Sequence, residues 1–293
     1  MNKLSNQKGE NQRDKLLLQA RLAQQTQRFE EMVKFVNMIA QEDGVQLRRE
    51  EEILLSSAYK SLVGNKRAEL RVLIQIEKNE RGNQTPTQNK YLMKYINKIE
   101  KEICLRCEEI NSLIDRNLMK NVSDLKQKIL YFKLKGDYMR YYAEVLKTRL
   151  LMYHMREQSY LQDDDSNHSS NRDEEDENEQ ALSNFEFKEF EEVNEEALFA
   201  YSEAEKLSKS ELALSNPLRL ALYLNMSVYF FEIQDKVKQA IQIANEAFQG
   251  AINNIESENE ENYRDCTLIM QLLRDNITYW NEIYQQKEYD QEY

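Results

Sequence analysis

Residues 59–71 read YKSLVGNKRAELR, and Lys60, Arg67 and Arg71 recur in them at spacings of seven and four. At about 100° per residue of α-helix, these side chains fall within about 40° of one another. The stretch therefore reads as a helix with a cationic stripe. It stands in an acidic chain: 52 acidic against 40 basic residues give a formal net charge of −12 over 293 residues.

Composition extends the helical reading outward. Only six Gly and two Pro occur, so turns are few and elements long. Charged residues make up 31% of the chain, and Leu, Glu, Lys, Gln and Ala abound, a mixture that favours helix. A hydrophobic content of 41% is enough for a core. No apolar run approaches the roughly 18 residues a membrane span needs. The opening MNKLSNQKGENQRDK has no apolar stretch, so no secretory signal is expected. Cys104, Cys107 and Cys266 suit a reducing compartment. The CLRC pair has neither a second cysteine pair nor a nearby His, and a zinc site needs about four ligands. Both thiols read as ordinary core or boundary residues, with no metal and no cofactor expected. The negative charge argues against a nucleic-acid surface. Any anion must be met by a local cluster.

Helical periodicity covers residues 14 to about 40, then 47–80, with a turn at Gly44. ERGNQTPTQ (80–88) is a break, and a third pattern runs from Tyr91 to about Arg116. Ser123 is the expected N-cap of the next helix. Residues 163–180, DDDSNHSSNRDEEDENEQ, hold nine acids against Arg172 and predict disorder. Helix resumes near Phe187, Pro217 starts another, and two more end near Trp280. The expected architecture is all-α and antiparallel, with residues 1–13 a flexible extension, 14–284 one domain interrupted at about 162–184, and 285–293 a flexible acidic tail. Further faces stand out. Lys133, Asp137 and Arg140 share one, with Tyr141 at its margin; Leu224, Asn225, Val228 and Glu232 form a mixed one; Leu268, Leu272 and Asn276 follow at i, i+4 and i+8.

At these residues the chain resembles the 14-3-3 family. YRDCTLIMQLLRDNITYW (263–280) and LLSSAYKSLVG (54–64) look like its two signatures. FKLKGDYMRYYAEV and NPLRLALYLNMSVYFFEI match further segments in order, and RLAQQTQRFEEM fits the N-terminal dimer region. The resemblance implies nine antiparallel helices, a concave amphipathic groove, a homodimer or heterodimer, and binding of phosphoserine or phosphothreonine proteins in signalling. It implies Lys60, Arg67, Arg140 and Tyr141 on the phosphate, supported by Arg71 and Asp137. Lys133, Leu224, Asn225, Val228, Glu232, Leu268, Ile269, Leu272, Asn276 and Trp280 would contact the peptide. Arg28, Glu31, Tyr95, Lys98 and Glu102 would form the dimer interface, pairing Arg28 with Glu102 and Glu31 with Lys98. The implied location is the cytoplasm, with the nucleus as a second.

Physical chemistry agrees with the cationic reading. A phosphoserine brings about −1.5 to −2 charges and three acceptor oxygens. Two Arg forks present planar donor pairs to those oxygens, and Lys60 adds a point charge. The departures from the family pattern are specific. Lys15 stands where an acidic dimer-bridging residue is common, and the usual basic partner position near Thr87 is lost. Leu70 replaces a Trp, Glu69 places a fixed negative charge near the expected interface, and the acidic stretch is unusually long. That stretch reads either as a tether or as a competitor for the basic groove in cis, with Ser170 a target for an acid-directed kinase. The alternative function is a phosphate-independent, tetratricopeptide-like scaffold. EEALFAYSEAEKLSK and AIQIANEAFQGAI have that flavour, but no period near 34 residues persists. Catalysis is not expected: the two histidines, His154 and His168, lie in or beside the acidic stretch, and no phosphate loop or nucleophile elbow occurs.

Overall fold

The computed structural model describes residues 2–42, 44–80, 85–162, 172–255 and 260–292. Among them are nine α-helices and no strand. Packing divides the chain into two compact units, residues 1–123 and 124–293, each described by itself.

The first unit holds α1 (Asn2–Gln25), α2 (Phe29–Ala40), α3 (Arg49–Glu80) and α4 (Pro86–Leu113). The single helical pattern read over residues 14–40 is two helices. They are broken at Gln27, whose φ is 58°, and no Gly or Pro announces the break. Gly44, with φ of 68°, makes the expected turn. α4 begins five residues before Tyr91, because Thr85 and Gln88 form a capping box and Pro86 occupies the first turn. Its buried Ile96, Ile99, Ile103, Cys107 and Ile110 repeat at helical spacing and pack toward α3. Cys104 and Cys107 are buried in this core and form no disulfide. Polar groups interrupt this core, among them the buried Tyr59 hydroxyl, which is paired with Asn37, whose amide also donates to Glu109 at 2.6 Å. A π-helical turn (Ile114–Leu118) and a 3₁₀ turn (Met119–Asn121) close the unit.

The second unit holds α5 (Leu125–Gln162), α6 (Arg172–Glu211), α7 (Pro217–Glu232), α8 (Val237–Ile252) and α9 (Glu260–Glu292). Asp124, not Ser123, caps α5: its carboxylate accepts the Lys126 N–H at 2.9 Å. Asn216 caps α7 ahead of Pro217. α6 starts at Arg172, inside the acidic stretch, whereas the sequence reading resumed helix at Phe187. Residues 163–171, with Ser170 and His168, lie outside the described residues. Helix also occupies most of both terminal stretches read as flexible, since α1 starts at Asn2 and α9 runs to Glu292.

α5 lies along α6, and small side chains set how closely. Ala197, Ala200 and Ala204 are fully buried on α6. At Gly136 of α5, a Cβ would stand 2.6–2.9 Å from three ring carbons of Tyr201 on α6. Tyr201 is itself 1% exposed, so the ring has nowhere to go. Gly64 of α3, by contrast, has open space around such a Cβ.

These two glycines make opposite predictions. Ala is favoured over Gly by roughly 0.5–1 kcal/mol inside a helix, so Gly64→Ala should stabilise the protein by that amount. Overpacking costs about 1–3 kcal/mol, so Gly136→Ala should destabilise it despite the same propensity gain. Urea denaturation followed by circular dichroism measures both, and a more stable Gly136→Ala protein contradicts the packing argument.

Candidate functional site

The α5 stripe read from the sequence is assembled in the second unit. Asp137 is buried, and both of its carboxylate oxygens are occupied. Oδ1 accepts from the Tyr201 hydroxyl at 2.8 Å and from the Asn225 amide at 2.7 Å. Oδ2 accepts from the Lys133 ammonium at 2.7 Å. Helices α5, α6 and α7 therefore meet at one carboxylate. Arg140, 5% exposed, lies one turn further along α5. Its Nε donates to the Tyr201 oxygen at 3.3 Å and its Nη1 to Glu232 Oε2 at 3.2 Å. The guanidinium carbon stands 4.5 Å from the Tyr141 ring centroid, a cation–π distance.

The electrostatics keep Tyr201 and Arg140 in the required form. Burial pushes the Tyr201 hydroxyl well above its ordinary pKa, and the adjacent Asp137 carboxylate adds to the shift. Tyr201 therefore remains a donor. Burial is the largest influence on Arg140 and works against its charge. Tyr201, Tyr141, Asp137 and Glu232 together outweigh it and raise the pKa well above the usual value. The result is a desolvated, permanently charged guanidinium with a half-buried carboxylate as its partner.

The remaining residues read from the sequence fall as follows. Leu224, Asn225, Val228 and Glu232 share α7, all half-buried. On α9, Leu268 and Leu272 are 63% and 53% exposed, apolar side chains facing solvent, while Ile269 and Asn276 are half-buried. Trp280 is 3% exposed and stacks on Phe231 at 5.0 Å, so it packs within the unit. Lys60, Arg67 and Arg71 lie along α3 in the first unit, with Arg67 half-buried and the other two exposed. Sequence reasoning missed Tyr201, which sits on α6 with nothing in its local sequence to mark it.

The residues expected at a dimer interface are paired within one chain. Arg28 pairs with Glu31 three residues on. Glu102 lies 3.0 Å from Lys66 and 3.9 Å from Lys98, and Lys98 stands 5.7 Å from the Tyr95 ring centroid. Tyr95 is half exposed. Lys66 also holds Glu69 at 3.1 Å, so the fixed negative charge noted in the sequence is met locally.

Comparison with known proteins agrees with the fold and with these motifs. The family model described as 14-3-3 protein matches residues 19–166 and 182–281. Residues 167–181, between the matched segments, take in most of the acidic stretch. The chain is 35% identical over 271 residues to the 14-3-3-like protein GF14 epsilon of Arabidopsis thaliana, covering 92% of this chain and 91% of that protein. It is 35% identical over 278 residues to human 14-3-3 protein eta, covering 94% and 97%. To 14-3-3 protein 2 of Entamoeba histolytica it is 35% identical over 268 residues, covering 92% and 95%. With its all-helical architecture and likeness along nearly the whole length of these proteins, the chain belongs to the 14-3-3 family.

Proposed function

We propose that Lys60, Arg67, Arg140 and Tyr141 hold the phosphate of a client's phosphoserine or phosphothreonine. Membership of the family makes the protein an adapter for phosphorylated clients. The observation that carries the residue assignment is Arg140, a fully charged guanidinium kept 5% exposed by a network that includes two more residues of the same motifs, Asp137 and Asn225. Asp137 and Arg71 act in support. Lys133, Asn225 and Asn276 hold the peptide, and Leu224, Val228, Leu268, Ile269 and Leu272 line its apolar side, with Glu232 and Trp280 at its flank. Trp280 acts from behind, through the Phe231 ring it stacks on.

The same reading covers what the protein does not do and where it works. It is an adapter that performs no chemistry on its clients, as its family consists of adapters rather than enzymes. No helix among the described residues is long and apolar enough to cross a membrane. We place it in the cytoplasm, where 14-3-3 proteins generally work, with access to nuclear clients.

Charge-assisted hydrogen bonds are worth roughly 1.5–3 kcal/mol each, and about 1.4 kcal/mol is tenfold in affinity. Arg67→Glu removes such donors and adds repulsion, so phosphopeptide affinity should fall by at least about 100-fold. The melting curve should stay unchanged, because Arg67 is only half-buried. Calorimetry with paired phosphorylated and unphosphorylated peptides is the check, and equal affinity of wild type for both rejects the phosphate reading.

Dimer formation should exchange the intrachain partners of Arg28 and Glu102 for one another across the interface. Exposed pairs contribute about 1 kcal/mol or less, so Arg28→Glu and Glu102→Lys should each weaken the dimer modestly, and the double reversal should restore it. Glu69→Ser should change little, because Lys66 already neutralises Glu69. Sedimentation velocity across a concentration series reads all four proteins; independent, additive losses for the two reversals rule out the pairing.

A further inference from the structure

Arg140 and Lys147 are seven residues apart on α5, two turns along the same face. Both grip the same residue of α7. Arg140 holds the Glu232 carboxylate at 3.2 Å. The Lys147 ammonium donates to the Glu232 carbonyl at 2.8 Å, to the Ile233 carbonyl at 3.1 Å, and to Asp235 Oδ2 at 2.6 Å. α7 ends at Glu232, so these are carbonyls that a helix C-terminus leaves without intrahelical donors, where a cation is favoured. Asp235 completes the arrangement with φ of 53°, a left-handed conformation uncommon outside glycine. Lys147 is thus a cap, a clamp on a tight turn, and a neighbour of the Arg140 counter-ion.

We propose that Lys147 is a positioning residue for the anion site: by fixing the end of α7, it holds the Glu232 carboxylate against Arg140 and so sets how strongly an incoming phosphate must compete for that guanidinium. The inference rests on Arg140 as a phosphate ligand and adds how that ligand is regulated. Glu232 is 36% exposed at its side chain against 6% for Arg140, so of the two it is the one able to swing away. The carboxylate leaves when phosphate arrives. Without the Lys147 clamp it would occupy Arg140 for less of the time, and phosphate would meet a more available cation.

The fold does not depend on this clamp alone. The turn after α7 is also tied by Gln234, whose amide donates to Asn194 Oδ1 at 2.7 Å and to the Tyr229 oxygen at 2.8 Å. Tyr229 in turn donates to Asn194 Oδ1 at 2.6 Å, and burial pushes its hydroxyl up to about 12, which keeps it protonated. The end of α7 retains this second anchor when Lys147 is changed.

The test is a cycle in which the clamp is removed at constant net charge. The double substitution Lys147→Met with Asp235→Asn deletes one charge of each sign. It is made in the wild type and in the E232Q background, and all four proteins are titrated with one phosphoserine peptide chosen as the tightest binder of wild type on a peptide array. With Glu232 present, the clamp-free protein should bind about three- to tenfold more tightly. In the E232Q background the same change should leave affinity unaltered, since there is no carboxylate to position. A merely structural role shifts both backgrounds alike. Equal changes in both, no change in either, or weaker binding with Glu232 in place overturns the proposal. Should the double variant melt below the assay temperature, Asp235→Asn alone is run through the same cycle, which cancels its charge effect. Wild type failing to prefer the phosphorylated peptide overturns the site reading itself, and this inference with it; a preference kept without coupling overturns this inference alone.

Discussion

A carboxylate survives in a low-dielectric interior only where donors meet both of its oxygens, and Asp137 imposes that condition on the second helical unit. Three donors from three helices satisfy it: Lys133 from α5, Tyr201 from α6 and Asn225 from α7. The geometry is restrictive. Tyr201 can reach Asp137 only because position 136 carries no Cβ, and its oxygen is then placed to accept from Arg140. Replacing one partner of a buried ionic group typically costs about 3–5 kcal/mol, whereas the intact pair adds little net stability. The value of such a network is specificity: one packing of α5, α6 and α7 satisfies it, and near alternatives leave a charge stranded.

In the proposed phosphate site, that network explains how an acidic chain can be a receptor for anions. A net charge of −12 repels phosphate at long range, but salt screens such forces beyond about 8 Å at physiological ionic strength. Recognition therefore rests on cations held locally in fixed positions. Arg140 is charged, largely desolvated and oriented before any ligand arrives, so little ordering remains to be done on binding. Its partner Glu232 supplies the counter-charge in the meantime, and Asp137 supplies it for Lys133.

The first unit uses charge differently. Its expected interface residues sit at or near the surface and satisfy one another within the chain, Arg28 with Glu31 and Glu102 with Lys66 and Lys98. Exposed pairs of this kind exchange partners at small cost in free energy. Association can then be governed by apolar side chains that single ion pairs do not satisfy, such as Leu18, Leu22, Tyr91 and Tyr95, all more than half exposed.

Residues close in sequence carried what could be read from the sequence alone. Helical content followed from composition, the helix start at Pro217 from local chemistry, and the Lys133–Asp137–Arg140 face from i, i+4, i+7 spacing on one helix. The family followed from long ordered motifs. Local signals failed at two helix junctions: the break at Gln27 carries no Gly or Pro, and Asp124 rather than its neighbour Ser123 is the cap of α5. The partners of the site were beyond any local reading. Tyr201 lies 61 residues from Arg140, Glu232 lies 92 away, and Lys147 reaches across 85 residues to the end of α7. Periodicity reports which side chains share a face, because helix geometry is local. Which face meets which is decided only when buried charges and carbonyls must find donors in the folded chain.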